Sequence, residues 1–169
     1  KLVSERLGFY HVGIFLLDDE KEFAMLQAAN SEGGIKMLAR GHRLQVGQQG
    51  IVGYVTSRGV ARIALDVGEE AVFFNNPDLP ETHSEVALPL KFGQEIIGAL
   101  DIQSTETNAF SQEDVELFTI LADQVSVAIQ NARSLEQAQR ALHEAEIASS
   151  QVTGRAWKGY SETIRSRGY

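Results

Sequence analysis

The sequence contains no cysteine. That removes disulfides, thiolate metal sites, cysteine nucleophiles and thioether-linked chromophores. Cations are also scarce: 15 Lys and Arg stand against 23 Asp and Glu, for a formal net charge of -8. A general binder of nucleic acid or of anionic membrane needs a basic face, so neither partner is expected. No apolar run approaches the roughly 20 residues that cross a bilayer, and Val12 to Leu17 is among the longest. Of the three prolines, Pro77 and Pro80 fall within one polar stretch, residues 66–85. The chain begins at Lys1 with neither an initiator Met nor a signal peptide, and it reads as a piece of something longer.

What is present suffices for a core. The 169 residues are 43% hydrophobic, which suits one domain plus an appendage. Tyr10 to Leu17 is apolar on both faces, the pattern of a central strand. After the polar turn Asp18–Glu22, Phe23 to Ala29 completes a β-hairpin. Asn30–Gly34 interrupts the pattern before a short helix over Ile35–Ala39 and a brief strand over His42–Val46. Ile51 to Arg58 reads as a helix ended by Gly59, and Ala61 to Leu65 as a short strand. Residues 66–85 read as a long loop, a feature of functional or mobile segments. Val86–Leu90 and Glu95–Gln103 then pair around Phe92-Gly93-Gln94, with Pro89 expected at an edge or irregularity.

Ser111 opens the last helix, with Asp114 three residues on as a capping box and Phe110 stapling onto Val115. Val115, Phe118, Ala122, Val125, Ile129 and Ala132 form one apolar stripe, and Leu117, Ile120, Leu121, Val127 and Ala128 a second. Beyond Ala132 the intervening residues turn polar while Leu135, Ala138, Leu142 and Ala145 continue a narrow seam, predicting a parallel coiled coil. Residues 151–169 carry four cations and Trp157; they read as a linker or tail ahead of a further domain rather than as a nucleic-acid arm.

Five motifs in order resemble a GAF domain: GIVGYV within residues 47–59, the strand ALDV ending at Val67, SEVALPL from Ser84, GQEIIGAL from Gly93, and AFSQED opening the final helix. The resemblance covers roughly residues 8–133. It implies an α+β, PAS-related fold: an antiparallel sheet of five or six strands, terminal helices on one face, and loops and short helices over a small-molecule pocket on the other. The implied domains are a GAF domain over 1–133, a coiled-coil signalling helix over 134–150 and a linker over 151–169. It further implies a cytoplasmic sensory module of a bacterial signalling protein such as a sensor histidine kinase, in some cases the cytoplasmic part of a membrane-anchored receptor, that dimerises through its flanking helices. The cyclic-nucleotide signature of the family is not found here, and without Cys neither a covalent bilin nor the thiol chemistry of the methionine sulfoxide reductase branch is expected. The cofactor is left unknown, and no enzymatic activity is expected of the domain.

The ligand-pocket candidates are Asp66, Phe73, Phe74, Asn76, His83, Ser84 and Glu85. His83-Ser84-Glu85 has the residue types of a hydrolase triad, but neighbours on a strand point to opposite faces and no G-x-S-x-G elbow accompanies them. His83, standing where the resembling members usually carry Arg, is read either as a pocket-rim group or as a solvent-facing loop residue. Phe73 and Phe74 either cap the core or line a lid, with core capping the default, and Asp66 either caps a turn, the favoured reading, or meets a ligand cation. Gly47, Gly50 and Gly53 match no phosphate-binding fingerprint, and the four His have no metal-ligand spacing. Two functions remain: a module that senses an unidentified small molecule, or a ligand-free dimerisation and relay domain whose pocket its own side chains fill.

Overall fold

The computed structural model describes residues 9–68 and 75–167, with side chains as far as residue 150. Cα packing divides the chain into two compact units, Lys1–Val127 and Ala128–Tyr169. The first unit holds a six-stranded, wholly antiparallel sheet in the order β3-β2-β1-β6-β5-β4. Its strands are β1 (His11–Leu17), β2 (Phe23–Ala29), β3 (Arg43–Gln45), β4 (Arg62–Ala64), β5 (Ser84–Phe92) and β6 (Glu95–Ser104). The helices are α1 (Glu32–Ala39), α2 (Gly50–Arg58) and α3 (Gln112–Arg167).

The hairpins form where the apolar runs and the turns between them predict them. β1 and β6 lie at the centre, each flanked on both sides, which accounts for strands apolar on both faces. Pro89 pairs with Ala99 of β6, but β4 flanks β5 only along Glu85–Ala87. Pro89 thus has no strand on that side, and a register shift follows at Leu90/Lys91. α2 ends at Gly59, whose φ of 68° is the left-handed cap that a Cβ would strain.

α1 starts three residues earlier than its apolar pattern suggests. Ser31 caps it, its Oγ accepting from Gly34 N at 2.9 Å. Gly33 and Gly34, read from sequence as a break, are helical because the helix is packed too tightly for side chains. A Cβ on Gly33 would overlap the Asp78 carbonyl oxygen.

Each face of the sheet buries a different set. On one, Phe15, Ala24, Leu26, Met37, Leu44, Ile51, Val52, Val55, Ala87 and Ala99 form a continuous core beneath α1 and α2. Side chains at alternate positions, Val86, Leu88, Leu90, Leu100 and Ile102, are buried towards the opposite face. There the first turns of α3 contribute Val115, Phe118 and Ala122, and Phe118 stacks edge-on against Phe9 and Phe110 at 5.5 and 6.3 Å between ring centres. Ser126 Oγ accepts from Lys91 N at 3.0 Å, tying α3 to the end of β5. The capping box is formed: Ser111 N donates to Asp114 Oδ2 at 2.8 Å and Asp114 N to Ser111 Oγ at 3.2 Å. The α3 backbone stays helical through the segment expected as a linker, to Arg167. Among the described residues no helix is long and apolar enough to cross a membrane.

Candidate functional site

Strand register assembles a polar cluster inside the α1/α2 face. Gln103 of β6 lies opposite Glu85 of β5 on one side and His11 of β1 on the other. One row along, Asp101 lies between Ala87 and Gly13. Partners across a ladder point to the same face, so Glu85, Gln103, His11 and Asp101 converge. All four are buried, His11 at 0% and Asp101 at 2% exposure.

The cluster is wired in one direction. The Thr82 hydroxyl donates to Gln103 Oε1 at 2.6 Å, and Gln103 Nε2 donates to Asp101 Oδ2 at 2.7 Å. This fixes the Gln103 amide and occupies one oxygen of Asp101. The other, Oδ1, has no hydrogen-bond partner, and neither does His11 Nε2, 3.9 Å from Asp101 Oδ2. On its far side, His11 Nδ1 lies 2.7 Å from Oγ of Ser31, the cap of α1.

Burial dominates the electrostatics. It pushes the Asp101 carboxyl up to about 6, while hydrogen bonding with Gln103 and Glu85 pulls the other way. It lowers His11 to about 4, with His42 adding to the shift, and it lowers His42 as well. His11 is therefore a neutral imidazole at pH 7.

A cavity of about 20 Å³ adjoins this cluster. Asn76, Glu85, Asp101, Gln103 and His42 supply its polar lining, and Phe15, Met37, Leu44, Ile51 and Val52 its apolar lining. Asn76 Nδ2 lies 3.1 Å from Met37 Sδ, and its Oδ1 accepts from Asp78 N at 3.0 Å. The 75–82 segment is thereby held over α1, where Asp78 also pairs with Arg40.

The predicted residues divide accordingly. Asn76 and Glu85 line the cavity. Ser84 does not: one residue along the strand, it faces the other way and donates to Glu106 O at 2.6 Å. His83 is exposed, its Nδ1 3.0 Å from Glu81 O. Asp66 is exposed and accepts from Gly68 N at 3.0 Å, closing a turn. Phe73 and Phe74 lie outside the described residues. Sequence reasoning missed Asp101, Gln103, Thr82, His11 and His42. The available signal was Asp101 and Gln103, two polar residues alternating on one face of a strand buried on both.

A six-stranded antiparallel sheet carries a terminal helix against one face and short helices roofing a polar-lined cavity on the other, an α+β architecture with its pocket on the helix-roofed face. The sequence model of the GAF domain matches residues 2–130, and the chain belongs to the GAF domain family, which is generally regulatory or sensory. Among solved structures, the GAF domain of a phosphoenolpyruvate-protein phosphotransferase from Coxiella burnetii is 25% identical, with a TM-score of 0.69 over 78% of each chain. The free methionine-R-sulfoxide reductase of Neisseria meningitidis, solved with its substrate, is 22% identical, with a TM-score of 0.69 over 79% of this chain and 74% of that one. The type II reductase of Thermoplasma acidophilum is 21% identical, with a TM-score of 0.66 over 77% of this chain and 86% of that one. No curated protein matches.

The reductases correct one expectation. They are enzymes built on this fold, so membership in it gives no ground for the expectation that the domain is not an enzyme; a fold does not fix a function.

Proposed function

We propose that this chain is a ligand-binding regulatory module. A small molecule occupies the cavity beneath α1, α2 and the 75–82 segment. Its differential affinity for two states of the domain biases α3, which relays the state to an output domain. One observation carries the reading: Asn76, Glu85, Asp101 and Gln103 line the cavity, and Asp101 Oδ1 among them is buried without a hydrogen-bond partner. Burying an unsatisfied polar group costs roughly 1–3 kcal/mol, and a domain stabilised only by its own core has no use for that cost. Two copies pair through α3, a reading supported by Leu135 and Leu142, 61% and 62% exposed along the seam.

The second reading, a ligand-free relay with a self-filled pocket, draws on the cavity's size. About 20 Å³ holds roughly one water. The polar lining favours the first reading, with the 75–82 segment shifting as a ligand enters.

Thermal unfolding of the full chain across a small-metabolite library tests this. A ligand at about 100 times its Kd stabilises by roughly 2.7 kcal/mol, or roughly 5–11 °C in Tm. The same compound should leave the Tm of Asp101→Asn unmoved. A library without a hit favours the self-filled relay.

A further inference from the structure

We propose that Glu85 and Asp101 share one proton, and that its release loosens the 75–82 segment over the cavity, so that this face of the sheet is a pH-operated switch. The inference goes beyond the ligand-binding reading and needs no ligand.

Register brings the two carboxyls together. Glu85 lies opposite Gln103, and Asp101 lies opposite Ala87. Glu85 and Asp101 are thus diagonal neighbours on one face of the β5/β6 ladder, and their side chains are hydrogen-bonded to each other. Carboxylates only accept, so that bond requires a proton: one carboxyl donates its O–H to the other. Both groups are buried, at 5% and 2% exposure. Gln103 Nε2 donates to Asp101 Oδ2 at 2.7 Å, which supports a pair carrying one negative charge.

Loss of the proton to solvent leaves two carboxylates in contact, in a site whose burial disfavours even one. Charged neighbours are engaged with other groups. His11 of β1, 3.9 Å from Asp101, is neutral at pH 7, and burial shifts His42 towards its neutral form as well. Asp78 pairs with Arg40 at the end of α1, Glu32 pairs with Lys36 on the outside of that helix, and Glu81 is exposed. Arg62 of β4 lies over the Tyr54 ring of α2, 4.5 Å from its centre. Among the described residues no Lys or Arg lines the cavity. Burial pushes the Asp101 carboxyl up to about 6, the direction that a pair retaining its proton requires.

The repulsion is relieved at the 75–82 segment. β1, β5 and β6 are fixed by their ladders. The segment is held by side-chain contacts, Asn76 Nδ2 on Met37 Sδ and the Thr82 hydroxyl donating to Gln103 Oε1. Thr82, Gln103, Asp101 and Glu85 therefore form one chain from the segment to the pair. The cavity beside them, about 20 Å³, has room for roughly one water, the first to solvate the second charge as the segment yields.

The test is a titration of the full chain by NMR from about pH 5 to about pH 8. The carboxyl carbons of Glu85 and Asp101 should titrate together, as a coupled pair. The Leu79 and Thr82 amides donate within the segment, to Asn76 O and Leu79 O. Their exchange protection, corrected for the intrinsic pH dependence of exchange, should fall by up to about tenfold per pH unit, the slope for release of one proton. Amides of β5 and β6 should keep theirs. Glu85→Gln and Asp101→Asn each put an amide donor in place of the shared proton, and should hold the segment closed at every pH. His83→Gln, exposed just beyond the segment, should leave the transition in place. Carboxyl carbons that titrate independently, protection at Leu79 and Thr82 that ignores pH, or a transition that survives in both carboxyl variants would each overturn the switch. The native-chain titration decides alone should a variant not fold. None of these outcomes depends on a ligand, so the ligand-binding reading stands or falls separately.

Discussion

Asp101 Oδ2 lies 3.9 Å from His11 Nε2, both groups buried and just beyond hydrogen-bonding reach. Their protonation equilibria are displaced in opposite directions, Asp101 up to about 6 and His11 down to about 4. A raised carboxyl stabilises the fold below its unfolded pKa and loses that contribution as pH rises through about 6. A depressed imidazole contributes above its unfolded value of 6.5 and loses it as pH falls towards about 4. Between pH 4 and 6 the two slopes oppose each other. In Asp101→Asn only the histidine slope remains, with His42 acting in the same sense. Urea unfolding across pH should show the variant gaining stability relative to the native sequence as pH rises from 4 to 6, by up to about 1.4 kcal/mol per pH unit. Parallel pH profiles for the two chains would contradict the burial account of Asp101.

The 75–82 segment is held to α1 by contacts of unequal strength. Gly33 leaves no room for a Cβ beneath the Asp78 carbonyl, so Gly33→Ala must displace the segment, at a cost of about 1–3 kcal/mol. The Arg40–Asp78 pair is half-exposed on the Arg side, and Arg40→Ala should cost about 1 kcal/mol or less. Denaturant midpoints rank the two directly, and a larger loss for Arg40→Ala would reverse the assignment.

The Ser111 cap anchors α3 where its first turns cover the sheet. Hydrogen bonds from Ser111 hold the Asp114 carboxyl below the usual range. Ser111→Ala should lower stability by about 1 kcal/mol, roughly 2–4 °C in Tm. Thermal melts that do not move would mean that the cap is redundant.

Pairing of two chains is tested on α3. Sedimentation of the full chain should give a dimer. Leu135→Asp combined with Leu142→Asp, or removal of residues 134–169, should shift it towards monomer. A native chain that sediments as a monomer at high concentration would remove the coiled-coil proposal.

Most of the sheet could be read from sequence because its signals are local. The apolar run Tyr10–Leu17, Gly59 after α2 and the Ser111/Asp114 box each act within a few residues. The start of α1 was obscured because Gly33 and Gly34 look like breakers, and only contact with Asp78 and Ala29 explains them. The pocket was half legible. Within residues 66–85, Asn76 and Glu85 line the cavity and Thr82 donates to Gln103, while His83 and Ser84 turn elsewhere. Asp101 and Gln103 are not legible as a site because their role depends on the register that sets Glu85 opposite Gln103 and Gly13 opposite Asp101. That register is a long-range pairing with no local signature.

The central claim, that the polar cavity exists to hold a small molecule, is tested most directly by native mass spectrometry of the freshly purified chain. The account predicts a mass above that of the polypeptide which disappears on denaturation and is missing from Asp101→Asn. A bare polypeptide mass in the native state, identical in the two chains, would contradict it.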